Sequence, residues 1–175
     1  MKAGEFGIEF YRDIYQREMS RRDSIDKNLS LVTTGVTALI LSSIFVILSG
    51  KLDMEYTASK ICIVSAVSCL LFCGLSIVNL TSAVSGRNYH YLDYPDLISD
   101  FENKLISHHG NKKLARKEFK DYLLSEYIRC ASHNSRQNDQ KAYEYDNAKR
   151  WLLWSIYPFL VSGASFVVSV LQSMI

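Results

Sequence analysis

Three runs of the chain, Asn28–Gly50, Ile61–Gly86 and Trp151–Ile175, contain no charged residue. Each is long enough to cross a hydrocarbon core, which takes about 20 mostly apolar residues as a helix. Buried helices of water-soluble domains run about 8–20 residues and keep a polar face, whereas these runs carry no charge on any face. The pattern predicts an all-α integral membrane protein with three transmembrane helices. Residues 29–83 form a transmembrane hairpin, with spans at Leu29–Leu48 and Ile61–Ala83 and a short polar loop of Gly50 and Lys51–Lys60 between them. Residues 151–175 form the third span. The first run follows a strongly charged stretch and has no small-residue cleavage pattern, so it is expected to stay in the mature chain.

Between the runs the periodicity changes. Phe6, Phe10 and Ile14, with Ile25 and Leu29 further on, mark an amphipathic helix within residues 1–28 that feeds the first span. Glu9, Arg12, Asp13, Arg17, Glu18, Arg21 and Arg22 fill its polar positions. Their mixed signs suit a solvated helix packed on other helices better than a basic membrane-surface anchor. Residues 84–150 read as a polar helical region. It opens with a tyrosine-rich connector, Ser85–Asp93. A helix then starts at Pro95, whose missing N–H costs nothing in a first turn. That helix carries Leu97, Ile98, Phe101 and Leu105 and closes at Gly110. From Lys112 to Tyr157 there is neither Gly nor Pro. Leu114, Tyr122, Leu123, Tyr127 and Cys130 mark one stripe, and Asn134, Asn138, Lys141 and Tyr145 another. A long helix is expected, with a break near His133–Asp139, running into the third span.

Charge adds a direction. Lys2, Arg12, Arg17, Arg21, Arg22 and Lys27 precede the first span, and residues 84–150 hold twelve Lys and Arg, but the 51–60 loop has only Lys51 and Lys60. The positive-inside rule then places the N-terminus and residues 84–150 in the cytoplasm and the C-terminus at the far side, with Trp151, Trp154 and Tyr157 in the cytoplasmic aromatic belt. A multi-pass membrane protein is the expected setting, and an extracellular receptor is the class this distribution disfavours.

Candidate chemistry is sparse. Ser155, Ser162 and Ser169 lie seven apart, with Pro158, Ser165 and Gln172 interleaved. This seam serves either packing within one subunit or a homo-oligomer interface. Ser65, Ser68, Phe72, Ser76, Asn79 and Ala83 share a face of the second span. Packing is the plain reading. Around an axis of several copies, Ser65, Ser68, Phe72, Ser76 and Asn79 would line a pore, with Phe72 as a hydrophobic constriction. Thr33, Thr34 and Thr37 are a competing lining. Cys62, Cys69 and Cys73 share a helical face, where thiols pack as small hydrophobes, and Cys130 implies no disulfide framework. His108–His109 sit in a loop without a carboxylate or Cys at ligand spacing. No phosphate-binding loop, dinucleotide fingerprint or nucleophile elbow occurs, and neither a catalytic residue, a metal nor a cofactor is expected. Two basic groupings remain: Arg87, Asn88, Tyr89, His90 and Tyr91, and Lys112, Lys113, Arg116, Lys117 and Lys120. Mixed basic and aromatic residues suit a phosphate-rich or single-stranded nucleic-acid ligand, although twelve Lys and Arg against ten Asp and Glu leave 84–150 at only +2, which also fits a solvated helix face.

Three places resemble the SLATT class of bacterial anti-phage membrane effectors. They are Arg21-Arg22-Asp23-Ser24-Ile25-Asp26-Lys27 before the first span, Tyr89-His90-Tyr91-Leu92 followed by Pro95, and Asn134, Asn138, Lys141 and Tyr145 followed by Ala148-Lys149-Arg150. The layout covers nearly the whole chain, and the third span departs from the two that the class is described with. The resemblance implies an oligomeric pore whose gate answers a nucleotide or single-stranded oligonucleotide signal made by a partner nucleotidyltransferase, with depolarisation and growth arrest of the infected cell. Ligand contact would fall to Arg87, Tyr89, His90, Lys112, Lys113, Arg116, Asn134 and Lys141. The rival expectation is a non-conducting anchor whose 84–150 region binds a cytoplasmic partner protein.

Overall fold

The structure, a computed structural model, describes residues 7–49, 52, 56–85 and 87–173. The positions Lys2, Phe6, Gly50 and Lys51 named above lie outside the described residues. The fold is all-helical, with no strand among the described residues. Its elements are α1 (Ile8–Leu48), α2 (Thr57–Val84), α3 (Pro95–His109) and α4 (Lys112–Gln172). Three of them, α1, α2 and α4, are long and apolar enough to cross a membrane. Two compact units divide the chain: Met1–Ser24 with Arg87–Gln140, and Ile25–Gly86 with Lys141–Ile175. They are called here the polar unit and the apolar unit.

The apolar unit is built on a seven-residue repeat. On α2 the buried residues are Ser59, Cys62, Ala66, Cys69, Cys73, Ser76, Leu80 and Ala83, an alternation of three and four that keeps one seam facing a partner helix. On α4 the buried residues of this unit are Lys141, Ala148, Ser155, Ser162 and Ser169. The two seams run antiparallel, as their contacts show: Ser59 Oγ to Ser169 Oγ at 2.7 Å, Ser162 Oγ to the Cys62 carbonyl at 3.2 Å, and Ser76 Oγ to the Ala148 carbonyl at 2.8 Å. Small side chains let the backbones approach closely enough for hydroxyls to reach across. Leu29, Val32 and Val36 of α1 complete the core with Leu39, Ile40 and Leu152. Gly35 sits where a Cβ would meet Leu152 Cδ2 at 3.2 Å. Ser155, Ser162 and Ser169 are therefore buried within one chain, Gln172 of the same seam stays exposed, and the three thiols pack beside the serines.

Three expectations are corrected. His108 and His109, expected in a loop, form the last turn of α3, which Gly110 caps. Helix α2 starts at Thr57 and so includes part of the expected loop, because Ser59 is buried against Ser169 and draws the first turn into the seam. No break occurs near His133–Asp139, and α4 runs unbroken for 61 residues. Asn side chains weaken a helix when they bond their own backbone. Here both bond other segments instead, Asn134 to His90 and Asn138 to Tyr89 and Glu18.

The polar unit follows the sequence closely. Pro95 occupies the first turn of α3 and Asp96 its favourable N-terminal position. Gly110 takes a left-handed φ of 61°, its N–H returning to the Ile106 carbonyl, a conformation that a side chain disfavours. Asn111 then caps α4, its Oδ1 accepting the Lys113 N–H at 2.9 Å. Phe101 packs on Tyr122 and Tyr15 on Tyr127, and Leu105, Ala115, Cys130 and Ala131 are buried.

Two substitutions separate seam packing from seam hydrogen bonding. Ala148→Leu forces a side chain into a fully buried site, and overpacking of that kind costs about 1–3 kcal/mol. Ser76→Ala removes one interhelical bond, worth about 0.6 kcal/mol on average in lipid. Unfolding in detergent titrated with dodecyl sulfate is expected to show Ala148→Leu as the larger loss.

Candidate functional site

Residues 87–94 are the connector between α2 and α3, and they form no helix. Their polar groups are bonded by side chains instead. The Asn134 carboxamide clasps His90 at two points: its Oδ1 accepts the His90 N–H and its Nδ2 donates to the His90 carbonyl, both at 2.8 Å. Asn134 is fully buried. One turn on, the Asn138 Oδ1 accepts the Tyr89 hydroxyl at 2.9 Å, while its Nδ2 donates to the Glu18 carbonyl at 2.8 Å and to Oε2 at 2.9 Å. Arg22 donates to the Tyr91 hydroxyl at 2.6 Å and lies over the Tyr89 ring, 5.1 Å from its centroid. Arg87 donates to the Gln137 carbonyl at 3.4 Å. Arg21 meets Asp139 at 2.7 Å, and that hydrogen bond raises the guanidinium pKa further.

The His90 and His133 rings stack with centroids 3.7 Å apart and planes within 6°. His133 Nε2 lies 2.7 Å from the Asn88 carbonyl, so it must carry the proton to make that bond. His90 Nδ1 is buried with no hydrogen-bond partner among the described residues. Beside this stack lies an open cleft of about 550 Å³, walled by Tyr89, His90, Tyr91, Leu92, Asp93, Tyr94 and Arg129. Its charges are balanced. Arg129 is held by Glu126 at 2.5 Å, which raises its pKa, and Asp93 accepts the Tyr122 hydroxyl at 3.2 Å. The cleft offers aromatic faces and one donor-acceptor pair of opposite charge, with no concentration of positive charge.

Arg87, Tyr89, His90 and Asn134 thus come together, while the other residues assigned to ligand contact do not join them. Lys112, Lys113 and Arg116 are exposed on the first turns of α4. Lys141 belongs to the apolar unit, where it is buried and bonded to Asp26 at 2.5 Å. Sequence reading did not assign Arg22, Glu18, Asp93, Tyr94, Arg129 or His133 to the site. Asn138 carried a signal, four residues from Asn134 on the same face. Arg22 and Glu18 carried none, because their contacts span more than 65 residues of chain. Glu118 lies 2.5 Å from His109, a carboxylate that sequence spacing did not reveal. No group of three metal-binding side chains occurs among the described residues.

The second-span stripe divides. Ser76 is buried and turned to α4, and Phe72 stacks on Trp151 with centroids 6.0 Å apart. Ser65, Ser68 and Asn79 are half-buried. The Ser68 hydroxyl and one Asn79 N–H return to their own helix at Val64 and Leu75. Thr33, Thr37 and Thr81 line a groove of about 560 Å³ with Val36, Ile77, Leu80, Val84 and Ser85. All three hydroxyls donate to carbonyls of their own helices, so the groove is less polar than its composition suggests. No known protein family, curated protein or solved structure matches the chain.

Asn134→Ala would leave the His90 N–H and carbonyl unpaired, at a cost of about 1–3 kcal/mol for each buried group. Hydrogen exchange over 87–94 is expected to accelerate in this variant, with α3 protection changing less. Titration supplies a second check. Burial pushes the Cys130 thiol up, against the opposing pull of Arg129, and burial likewise raises Tyr15 and Tyr122. An acid whose folded pKa is raised contributes stability in full below its unfolded pKa, which is about 8.5 for a thiol, and that contribution is lost as pH rises through the folded value. Stability of the polar unit is therefore expected to fall above that pH. Below it, iodoacetamide is expected to label Cys130 far more slowly in the folded protein than in the unfolded one.

Proposed function

We propose that the chain is an oligomeric pore-forming effector of anti-phage defence in a bacterial inner membrane. Its N-terminus and polar unit face the cytoplasm, and a nucleotide-derived or oligonucleotide signal at the polar unit controls conduction. The observation that carries the reading is Asn79. Its carboxamide lies within a membrane-length helix, half-exposed on the outside of the apolar unit, with one N–H donated to Leu75. A carboxamide offers two donors and two lone pairs, and polar groups inside a membrane face protein or water. A second copy of the chain, or water along an axis shared by several copies, supplies that environment. Ser65 and Ser68 are half-buried on the same stripe, and the absence of an Asp, Glu, Lys, Arg or His from the three charge-free runs disfavours a proton-coupled transporter.

The polar unit supports the signal-receiving half of the reading. Its connector is held in one conformation by side-chain clasps at Tyr89 and His90. Moving a gate from one per cent open to ninety-nine requires a ligand that binds the open state about 10⁴-fold more tightly, so the receiving element must differ sharply between states. A connector bonded by side chains can do so at the cost of a few hydrogen bonds.

The test is ion leakage from liposomes holding the purified chain, with short oligonucleotides or cyclic nucleotides added. Ligand-dependent leakage is expected, and Asn79→Leu is expected to suppress it while leaving helix content and insertion intact. Phe72→Leu is less diagnostic, because Phe72 also packs on Trp151. Silence under every ligand, with the protein inserted and folded, would replace the pore with an anchor that docks a partner protein.

A further inference from the structure

Helix α4 opens with Lys112, Lys113, Arg116, Lys117 and Lys120, all exposed. At 100° per residue these five cations share a face about 140° wide and rise about 12 Å along the helix. Among the described residues, none of the five forms an ion pair, although Arg12, Arg21, Arg22 and Arg129 of the same unit each meet a carboxylate. The nearby acids point elsewhere. Glu118 and Asp121 fall outside that face on the helical wheel, and Glu118 meets His109.

Two ordinary explanations fail. Helix stability is not served, because cations near an N-terminus oppose the macrodipole, like charges at i, i+4 repel, and the first turn of α4 has no acid to offset them. Membrane orientation is not served either. The positive-inside effect reaches about 15–20 residues from a span end, whereas Lys120 lies 31 residues before Trp151 and Lys112 lies 28 after Val84.

We infer that this face binds the phosphate backbone of a nucleic-acid strand. The inference deepens the proposed function, resting on its reading of the polar unit as the ligand-receiving part and not on the pore. The face is convex and exposed, and small-molecule sites are concave, so an extended polyanion fits it and a mononucleotide does not. A membrane surface fits less well. Lipid-binding helices need a free apolar face beside the charges; here Ala115 is buried and Tyr122 packs on Phe101, and the exposed Leu114 alone does not make such a face. Phe119 falls about 20° outside the face and is half-buried, so recognition is mainly of the backbone and independent of sequence.

The measurement is fluorescence anisotropy of a labelled single-stranded oligonucleotide with the full chain in nanodiscs of zwitterionic lipid, over about 50–200 mM salt. Binding is expected to weaken with salt. In a variant with all five cations changed to Gln, the logarithmic salt slope is expected to shrink by about 0.7 per cation, about 3.5 in all. Arg116→Glu alone, checked for helix content, covers the case where the five-fold variant does not fold. Arg17→Gln, elsewhere in the unit, is expected to change little. An unchanged slope in both α4 variants, competition by ATP as effective as by unlabelled strand, or displacement by phosphatidylserine vesicles but not by strand would overturn the assignment. Leakage without strand binding would overturn this inference alone, and strand binding without leakage would overturn the pore alone.

Discussion

In the apolar unit everything depends on close approach of α2 and α4. In a membrane, lipid would remove the hydrophobic drive between helices, and association would rest on van der Waals contact and on hydrogen bonds that short distances permit. The seam supplies both with small residues: Ala66, Ala83 and Ala148, the thiols of Cys62, Cys69 and Cys73, and the hydroxyls of Ser59, Ser76, Ser155, Ser162 and Ser169 are all buried. Larger residues would hold the helices apart and strand the hydroxyls in an apolar medium. The bulky residues stand outside, Leu71, Val78, Leu160 and Val167 among them, which is where a lipid-facing surface wants them.

The same seven-residue phase continues along α4 beyond the apolar stretch. Asn134, Lys141, Ala148, Ser155, Ser162 and Ser169 are spaced by seven and all buried. What changes along the phase is chemistry. Within the charge-free run the buried positions are serines, each bonded within the helix or across the seam. Before it, ahead of Ala148, they are a carboxamide and an ammonium group, each with a specific partner, His90 for Asn134 and Asp26 for Lys141. A single polar residue at a core position fixes register at some cost in stability, and a buried ion pair acts similarly, since breaking it leaves an uncompensated charge. One periodic pattern therefore does two jobs, close packing where the helix is apolar and register selection where it is polar.

This division explains what the sequence disclosed. Lengths of apolar runs reveal the helices long enough to cross a membrane because the charge filter is severe, and Pro95 and Gly110 reveal α3 because each acts through local backbone geometry. The spacing of Ser155, Ser162 and Ser169 was visible, but its partner was not, since a seam reads the same whether it faces its own chain or another copy. The clasp was half legible. Asn134 and Asn138 stood on one face, yet a carboxamide that binds a ligand and one that binds its own backbone look identical in sequence. His133–Asp139 misled for the same reason. Asparagine competes with a helix only when its side chain bonds locally, and these two bond groups more than 40 residues away.

The clasp also bears on how small a signal could move the connector. Freeing His90 from Asn134 exposes two backbone groups, at about 1–3 kcal/mol each if they stay buried and less if water reaches them. A ligand of micromolar affinity carries about 8 kcal/mol, so binding energy exceeds the clasp even after part of it is lost to ordering. The limiting requirement is selectivity between the two connector states. A flexible loop would yield to almost any contact and discriminate nothing, whereas a connector bonded at Tyr89, His90 and Tyr91 resists a weak ligand and yields to one that replaces those bonds. The aromatic cleft of Tyr89, Tyr91 and Tyr94 lies on this same segment, so a planar group entering it meets the residues whose clasp it would have to release. The cationic face of α4 makes no such contact with the connector's clasps. Under the proposed function it concentrates a polyanionic signal, while the cleft beside the connector is where that signal would be read.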